Sequence, residues 1–392
     1  MEHGKKVFLN FSTFHFHPSV AAGIKAARFV EPTPIQLKAI PSIMKGLDVV
    51  GTAQTGTGKT AAYALPLLNR FLDKKRGRIR VLIMAPTREL AEQINQEIST
   101  LGRQTPLRTA SIYGGVGLDP QTRKLKGGAE FIVACPGRLL DHINRGHVNL
   151  SSVEALVLDE ADQMLDMGFL PDIRKILQKL PRKRQTLLFS ATMPTEIRRL
   201  AREALHQPVA IQVGNPAPAE TVSHALYPVN QREKTPVLLQ LLRETQIKSV
   251  LIFTRTKHRA KRLGEKLAKE GFRSTSLQGN LSQRRRQAAL TGFRSGKFQI
   301  LVATDIAARG IDVSRVSHVI NYDIPASADA YIHRIGRTGR AKRKGEALSF
   351  ITRDDKVVVR AIERIVGPNM ERRVLPGFDH AVAQKAQRAI NH

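Results

Sequence analysis

The stretch AQTGTGKT, residues 53–60, decides how this chain of 392 residues is read. Before it stands a short strand-like run, DVVG at 48–51, and after it the helical pattern AAYALPLL at 61–68. A strand, a glycine-rich turn and a helix in that order aim backbone N–H groups and the positive end of a helix at one point, an arrangement suited to phosphate oxygens. Gly56 and Gly58 permit the close approach, and Thr55 and Thr57 share the loop as candidate nucleotide contacts. Lys59 is placed to reach the β and γ phosphates of a nucleotide, and the Thr60 hydroxyl to ligate Mg²⁺. The spelling departs slightly from the general pattern, because Ala53 stands where the first glycine is usual.

Working outward, short apolar runs alternate with helical patterns along the whole chain: VLIMA at 81–85, ALVL at 155–158, SVLIF at 249–253 and QILVA at 299–303. Strands apolar on both faces belong to parallel sheets covered by helices. At about 100–200 residues per domain the length predicts two α/β domains. The break falls at GNPAPA, where two prolines and a glycine interrupt both periodicities after the strand-like 209–213. The expected layout is an N-terminal domain over 1–213, a linker at 214–219, a C-terminal domain over 220–368 and a short tail at 369–392, in which 381–390 reads as one helix. Sequence repeats between the halves are absent.

Composition narrows the partners. A formal charge of +30 favours a polyanion, and nucleic acid is the commonest one in cells. Hydrophobic residues at 42% suffice for packed cores. No apolar run approaches the roughly 20 residues of a membrane span, the first ten residues lack a signal-peptide core, and the single Cys135 excludes an internal disulfide. A cytoplasmic protein without membrane contact is expected.

The run VLDEAD at 157–162 follows a buried strand about a hundred residues after the phosphate loop. Asp159 is placed to hold Mg²⁺ through water, and Glu160 to take a proton from an attacking water. With the phosphate loop, this run resembles the signature of the DEAD-box ATP-dependent RNA helicases. The rest of the chain is similar to that family from about Phe11 to Thr352. In order come FVEPTPIQ at 29–36, PTRELA at 86–91, Gly114 and Gly115, PGR at 136–138 and SAT at 190–192. LIFTRT at 251–256, Gln278 and Gly279, QRRR at 283–286, ATDIAARGID at 303–312 and YIHRIGRTGR at 331–340 follow.

The resemblance implies two tandem RecA-like domains with ATP and RNA bound between them, and hydrolysis completed by closure. It implies adenine contacts from Phe11, Phe29 and Gln36, whose amide can both donate and accept. It implies coupling of nucleotide state to strand separation through Ser190 and Thr192, a γ-phosphate contact from His333, ribose contacts from Gly310 and Asp312, and charge stabilisation by Arg337 and Arg340. An arginine finger is worth about 10³–10⁵ in rate. The implied RNA contacts are Pro86, Thr87, Arg88, Gly114, Gly115, Pro136, Gly137 and Arg138 in the first half. In the second they are Thr254, Arg255, Gly279, Gln283, Arg286, Thr304 and Asp305. These groups suit phosphates and 2′-hydroxyls better than base edges, so binding independent of sequence is expected. With no tryptophan and 5% aromatics, an extended base-stacking platform is not expected. Unwinding should be local and non-processive, since opening about five steps at about 1.4 kcal/mol each leaves a short duplex to fall apart unaided.

Two positions depart from the family pattern. Cys135 stands where a threonine usually precedes PGR, and Arg28 replaces the glycine before Phe29. His15 and His17 give little support for a metal site. The basic runs KKRGRIR at 74–80, RKR at 182–184, RRR at 284–286 and KRK at 342–344 read individually as solvated faces. The layout is similar to bacterial short-tailed members of the RhlE type, which implies a monomer acting on RNA with RNA-processing or ribosome-assembly proteins as partners. An ATP-dependent RNA clamp and a DNA translocase are the competing functions.

Overall fold

A computed structural model describes residues 10–54, 56–213, 222–245, 248–308, 316–338, 345–367 and 370–375. The expected linker at 214–219, the helix-like 381–390 and the candidate residues Thr55, Gly310, Asp312 and Arg340 lie outside the described residues. The chain divides into two compact units, Met1–Gly214 and Asn215–His392.

The first unit holds β1 (Val49–Thr52), β2 (Val81–Met84), β3 (Thr109–Ile112), β4 (Phe131–Ala134), β5 (Ala155–Leu158), β6 (Gln185–Ser190) and β7 (Val209–Gln212). All pair in parallel, in the order β3-β4-β2-β5-β6-β1-β7. The second unit holds β8 (Val222–Pro228), β9 (Val250–Phe253), β10 (Ser274–Leu277), β11 (Ile300–Ala303), β12 (His318–Asn321), β13 (Gly345–Ile351) and β14 (Glu371–Arg372). Its order is β10-β11-β9-β12-β13-β8-β14, again all parallel. With β8 in the place of β1, β9 of β2 and so on, the two orders are the same. Two tandem RecA-like parallel sheets are therefore present, and they share a topology without a sequence repeat.

Strand alternation explains why the quoted runs are apolar throughout. Val81 and Ile83 of β2, Phe131 and Val133 of β4, and Ala155 and Val157 of β5 enter the core on one face. Leu82, Met84, Ile132, Leu156 and Leu158 enter a second core on the other. The second unit repeats this: Val250, Ile252, Ile300 and Val302 face one core, and Leu251, Phe253, Leu301 and Ala303 another. Both faces of each sheet are thus covered, as period-two alternation in a buried parallel sheet requires. Asp48, which the sequence joins to the first strand, lies just outside β1. Its carboxylate accepts from Thr186 N and His206 N, each at 2.7 Å, and so ties the start of β1 to the amino ends of its parallel neighbours.

Candidate functional site

The phosphate loop leaves β1 and enters the helix Lys59–Phe71 through Gly56 at φ 84° and Gly58 at φ 88°. A Cβ at Gly58 would lie 2.6 Å from Gln36 Nε2, so glycine is required by space as well as by backbone. Gln36 is buried. Its Nε2 donates to Gly58 O at 3.1 Å and its Oε1 accepts from Thr33 N at 2.9 Å, which fixes the amide against the loop. Lys59 Nζ donates to Ala53 O at 3.0 Å, and Thr57 Oγ1 donates to Gln54 O at 2.8 Å.

Arg28 lies at φ 59°, in the left-handed region. The helix Pro18–Ala26 ends there in a Schellman motif: Phe29 N donates to Ile24 O at 3.2 Å and Arg28 N to Lys25 O at 3.0 Å. That geometry is why glycine suits the position. The loop adopts it with arginine all the same and presents Phe29 half-buried. Phe11 is buried, its ring 6.1 Å from Phe29 and 6.2 Å from Phe14, so Phe29 is the ring of the pair with more open surface.

Asp159 follows β5 and is buried. Its Oδ2 accepts from the Tyr63 hydroxyl at 2.9 Å and its Oδ1 from Glu160 N at 2.9 Å. Burial pushes its pKa up to about 6, with Lys59 opposing and Glu160 adding to the rise. Tyr63 is raised too, by burial and by Asp159. Glu160 takes a left-handed φ of 51°, and its Oε2 accepts from Gln163 Nε2 at 2.6 Å. The acidic run then ties itself to the segment after β6. Asp162 N donates to Ser190 Oγ at 3.1 Å, and Asp162 Oδ2 accepts from Ala191 N at 3.1 Å and Thr192 N at 2.8 Å. The Thr60 hydroxyl and the Asp159 carboxylate, a charge that burial destabilises, are hard oxygen donors of the kind Mg²⁺ selects.

The candidate RNA residues of this unit follow three other strands. Pro86, Thr87 and Arg88 come after β2, Gly114 and Gly115 after β3, and Pro136, Gly137 and Arg138 after β4. Thr87 caps the helix Arg88–Leu101 by accepting from Leu90 N at 3.2 Å. Gly115 has φ 80°, and a Cβ there would meet Arg88 Nη1 at 2.0 Å. Arg138 Nη1 donates to Val116 O at 2.9 Å. The edge formed by the carboxyl ends of the strands is therefore divided. β3, β4 and β2 carry the RNA candidates, whereas β5, β6 and β1 carry the nucleotide candidates. Cys135 is the N-cap of the helix Pro136–Asn144, makes no side-chain cap bond, and burial pushes its thiol up to about 12, which keeps it protonated.

In the second unit the two sets of candidates lie closer together. Thr254 and Arg255 follow β9, Gly279 follows β10, and Thr304 and Asp305 follow β11. Gln283 and Arg286 open the helix Gln283–Arg294, with Arg286 Nη1 3.5 Å from Gln278 O. His333 and Arg337 lie beyond β12 and line a pocket with Phe253, Asp305 and Arg334. Asp305 accepts from Arg334 Nε at 2.5 Å and Nη2 at 2.7 Å, so its carboxylate serves first to hold that arginine. Arg334 is buried, 4.9 Å over the Phe253 ring, and also donates to Asn321 Oδ1 at 2.9 Å and Asp323 O at 2.6 Å. Asp323 in turn takes Arg259 Nη1 at 2.6 Å, Lys234 Nζ at 3.2 Å and Arg255 N at 2.9 Å. Burial raises its pKa, but these partners outweigh it and hold the carboxyl below its ordinary value.

Sequence reasoning did not single out Tyr63, Asp162, Gln163, Asp323 or Arg334 as site residues. Asp162 and Arg334 lie inside quoted motifs, and Tyr63 falls four residues after Lys59 on one helix face, which is a usable signal. His17 caps the helix Pro18–Ala26 through Nδ1 and Ser19 N at 3.3 Å. Among the described residues no group of three metal-binding side chains gathers, and no helix is long and apolar enough to cross a membrane.

The comparisons agree with this geometry. Residues 33–200 match the family DEAD/DEAH box helicase, and residues 233–342 match the helicase conserved C-terminal domain. The chain belongs to the DEAD/DEAH box helicase family. It is 42% identical over 388 residues to "ATP-dependent RNA helicase CshA" of Listeria monocytogenes, covering 97% of this chain and 74% of that protein. It is 44% identical over 344 residues to "DEAD-box ATP-dependent RNA helicase RhpA" of Helicobacter pylori, covering 88% and 70%. Among solved structures it is similar to S. cerevisiae Dbp5 bound to RNA and ADP BeF3, with TM-score 0.85 and 31% identity over 97% of this chain and 99% of that one. These names support the DEAD-box reading and do not carry the RhlE subtype.

Proposed function

We propose that this protein is an ATP-dependent RNA helicase that hydrolyses ATP on RNA and locally separates short duplexes or remodels RNA–protein complexes. The observation that carries the reading is the divided sheet edge of the first unit, where Asp162, after the nucleotide-side strand β5, holds the Ser190–Thr192 segment at the carboxyl end of β6. Relatives and a solved neighbour whose names give ATP-dependent RNA helicases and an RNA-bound state support it.

The roles are assigned as follows. Lys59 and the backbone of Gly56, Thr57 and Gly58 hold the β and γ phosphates, and Gln36 and Phe29 hold adenine, with Phe11 backing Phe29. Mg²⁺, held by Thr60 and through water by Asp159, would neutralise phosphate charge when bound. Glu160 accepts the proton of the attacking water. Arg337, with Arg340 and His333, stabilises charge on the transferred phosphoryl group from the second unit, so hydrolysis is fast only when triphosphate and RNA draw the units together. Thr87, Arg88, Gly115, Arg138, Thr254 and Thr304 grip the RNA backbone. The protein acts as a monomer in the cytoplasm, beside ribosome-assembly or RNA-processing proteins.

A duplex-release assay with Glu160→Gln tests the reading. Loss of RNA-stimulated hydrolysis together with loss of repeated strand release is expected. Undiminished repeated release by the variant would point to a clamp instead, and equal stimulation by DNA of the same sequence would remove the RNA assignment.

A further inference from the structure

The first unit carries an open cavity of about 400 Å³ on the side of the sheet away from the nucleotide residues. Its walls come from the loop before β2, the carboxyl end of the helix Leu118–Lys126, and the turn before β5. All of these enter their strands at the amino ends, about 13 Å of strand from the edge that carries Lys59 and Asp159. The polar lining is Arg78, Lys126, His147, Asn149, Ser151 and Ser152, and among the described residues that line it there is no carboxylate.

The charge there is distributed unevenly. In the run KKRGRIR, Arg76 pairs with Glu130 at 2.9 Å and Arg80 pairs with Glu154. Arg78 and Lys126 are exposed and have no ion pair among the described residues. Asn149 Oδ1 accepts from Ser151 N at 2.9 Å, which leaves its amide N–H groups as donors. Two left-handed glycines bring the walls together: a Cβ on Gly128, at φ 78°, would meet Gly77 Cα at 3.0 Å. A hollow with two cations, hydroxyl and amide donors and no carboxylate matches a phosphodiester.

Two helices lead from the RNA candidates towards the cavity. The helix Leu118–Lys126 begins just after Gly114 and Gly115, and the helix Pro136–Asn144 begins at Pro136, Gly137 and Arg138. Both run towards the cavity, and nine residues of helix span about 14 Å. At about 3.4 Å per stacked nucleotide that is roughly four nucleotides. We propose that this cavity is an accessory phosphate site, which binds the backbone of RNA extending beyond the motif residues. The inference rests on the RNA-helicase reading and adds a second, remote grip to it.

The test uses the full chain with both cations neutralised, Arg78→Gln and Lys126→Gln, both at exposed positions. RNA affinity is measured against salt with a nonhydrolysable ATP analogue, for an oligonucleotide that only fills the motif residues and for one about four nucleotides longer. On the longer RNA the variant should lose about 1.4 from the log–log salt slope and about tenfold in affinity near 0.1 M salt. On the short RNA both should match wild type. Equal slopes on the longer RNA, or equal losses on both, overturn the proposal. So does a variant that loses binding of tripolyphosphate alone while its RNA curves stay unchanged, because the site would then serve a free phosphate compound. Wild type that binds neither RNA would fell the helicase reading itself, a result distinct from failure of the cavity.

Discussion

Asp162 holds Thr192 twice through one oxygen: Oδ2 accepts from the Thr192 N–H at 2.8 Å and from its hydroxyl at 3.1 Å. The last acid of the DEAD run is therefore a tether for the segment after β6 rather than a group facing the phosphates. Thr192→Val removes only the hydroxyl bond and should cost about 1 kcal/mol of first-unit stability. If this segment couples nucleotide state to strand separation as proposed, RNA-stimulated ATP hydrolysis should survive the change while duplex release falls. Thermal unfolding and paired hydrolysis and release assays check this. Hydrolysis and release falling in equal proportion would show that the bond serves the chemical step instead.

How much of this was legible beforehand depends on range along the chain. The strands and the phosphate loop are local signals, and the runs at 81–85, 155–158, 249–253 and 299–303 become β2, β5, β9 and β11 to within a residue. The order of strands across the sheet is not local. That β2 lies between β4 and β5 follows from packing, and so the division of the sheet edge into RNA and nucleotide halves could not be read. The same holds for Tyr63 and Asp159, whose bond joins positions 96 apart, and for Arg334, whose partners come from the end of β12 and from Asp305 after β11. Phe11 shows the opposite limit, since spacing gave its neighbourhood but not its burial.

Gly115 is the position where a single methyl group separates the two functions. At φ 80°, alanine would be strained, and its Cβ would fall 2.0 Å from Arg88 Nη1, driving that flexible guanidinium away. Gly115→Ala should weaken RNA binding and reduce RNA stimulation of hydrolysis, with ATP-analogue affinity unchanged. The backbone strain adds a stability cost of about 1 kcal/mol. Titrations of labelled RNA and of labelled nucleotide separate the outcomes, and a matching loss of nucleotide affinity would mean that the loop after β3 supports the phosphate loop.

Arg28 sits in a Schellman turn built for glycine, so Arg28→Gly should stabilise the first unit. Relief of a left-handed non-glycine residue is worth about 1–2 kcal/mol, and the extra freedom of the unfolded glycine chain takes back about 0.4–1 kcal/mol. The net gain, about 0–1.6 kcal/mol, raises Tm at about 2–4 °C per kcal/mol for a unit of this size. Nucleotide affinity should not change, since the backbone that presents Phe29 is already in place. Lower stability in the variant would mean that the exposed arginine makes a compensating contact.

Acid sensitivity of the second unit should trace to His224. Its Nδ1 lies 3.1 Å from the Tyr331 hydroxyl, joining β8 to the helix Ala328–Ile335 that carries His333. Burial lowers its pKa from 6.5 to about 4, and burial likewise raises that of Tyr331. The unfolded chain takes up its proton near pH 6.5, whereas the folded chain waits until about pH 4. Stability is therefore fully present above pH 6.5 and is lost as pH falls towards 4. Because a part of the ring remains exposed, the loss should be on the order of 1–2 kcal/mol rather than the larger value the full shift would give. His224→Gln removes the titration and keeps a polar partner for Tyr331. The stability difference between wild type and variant, followed by denaturant unfolding from pH 7 to pH 4, should move against wild type by that amount. A difference that stays constant across the range would show that the acid sensitivity lies elsewhere.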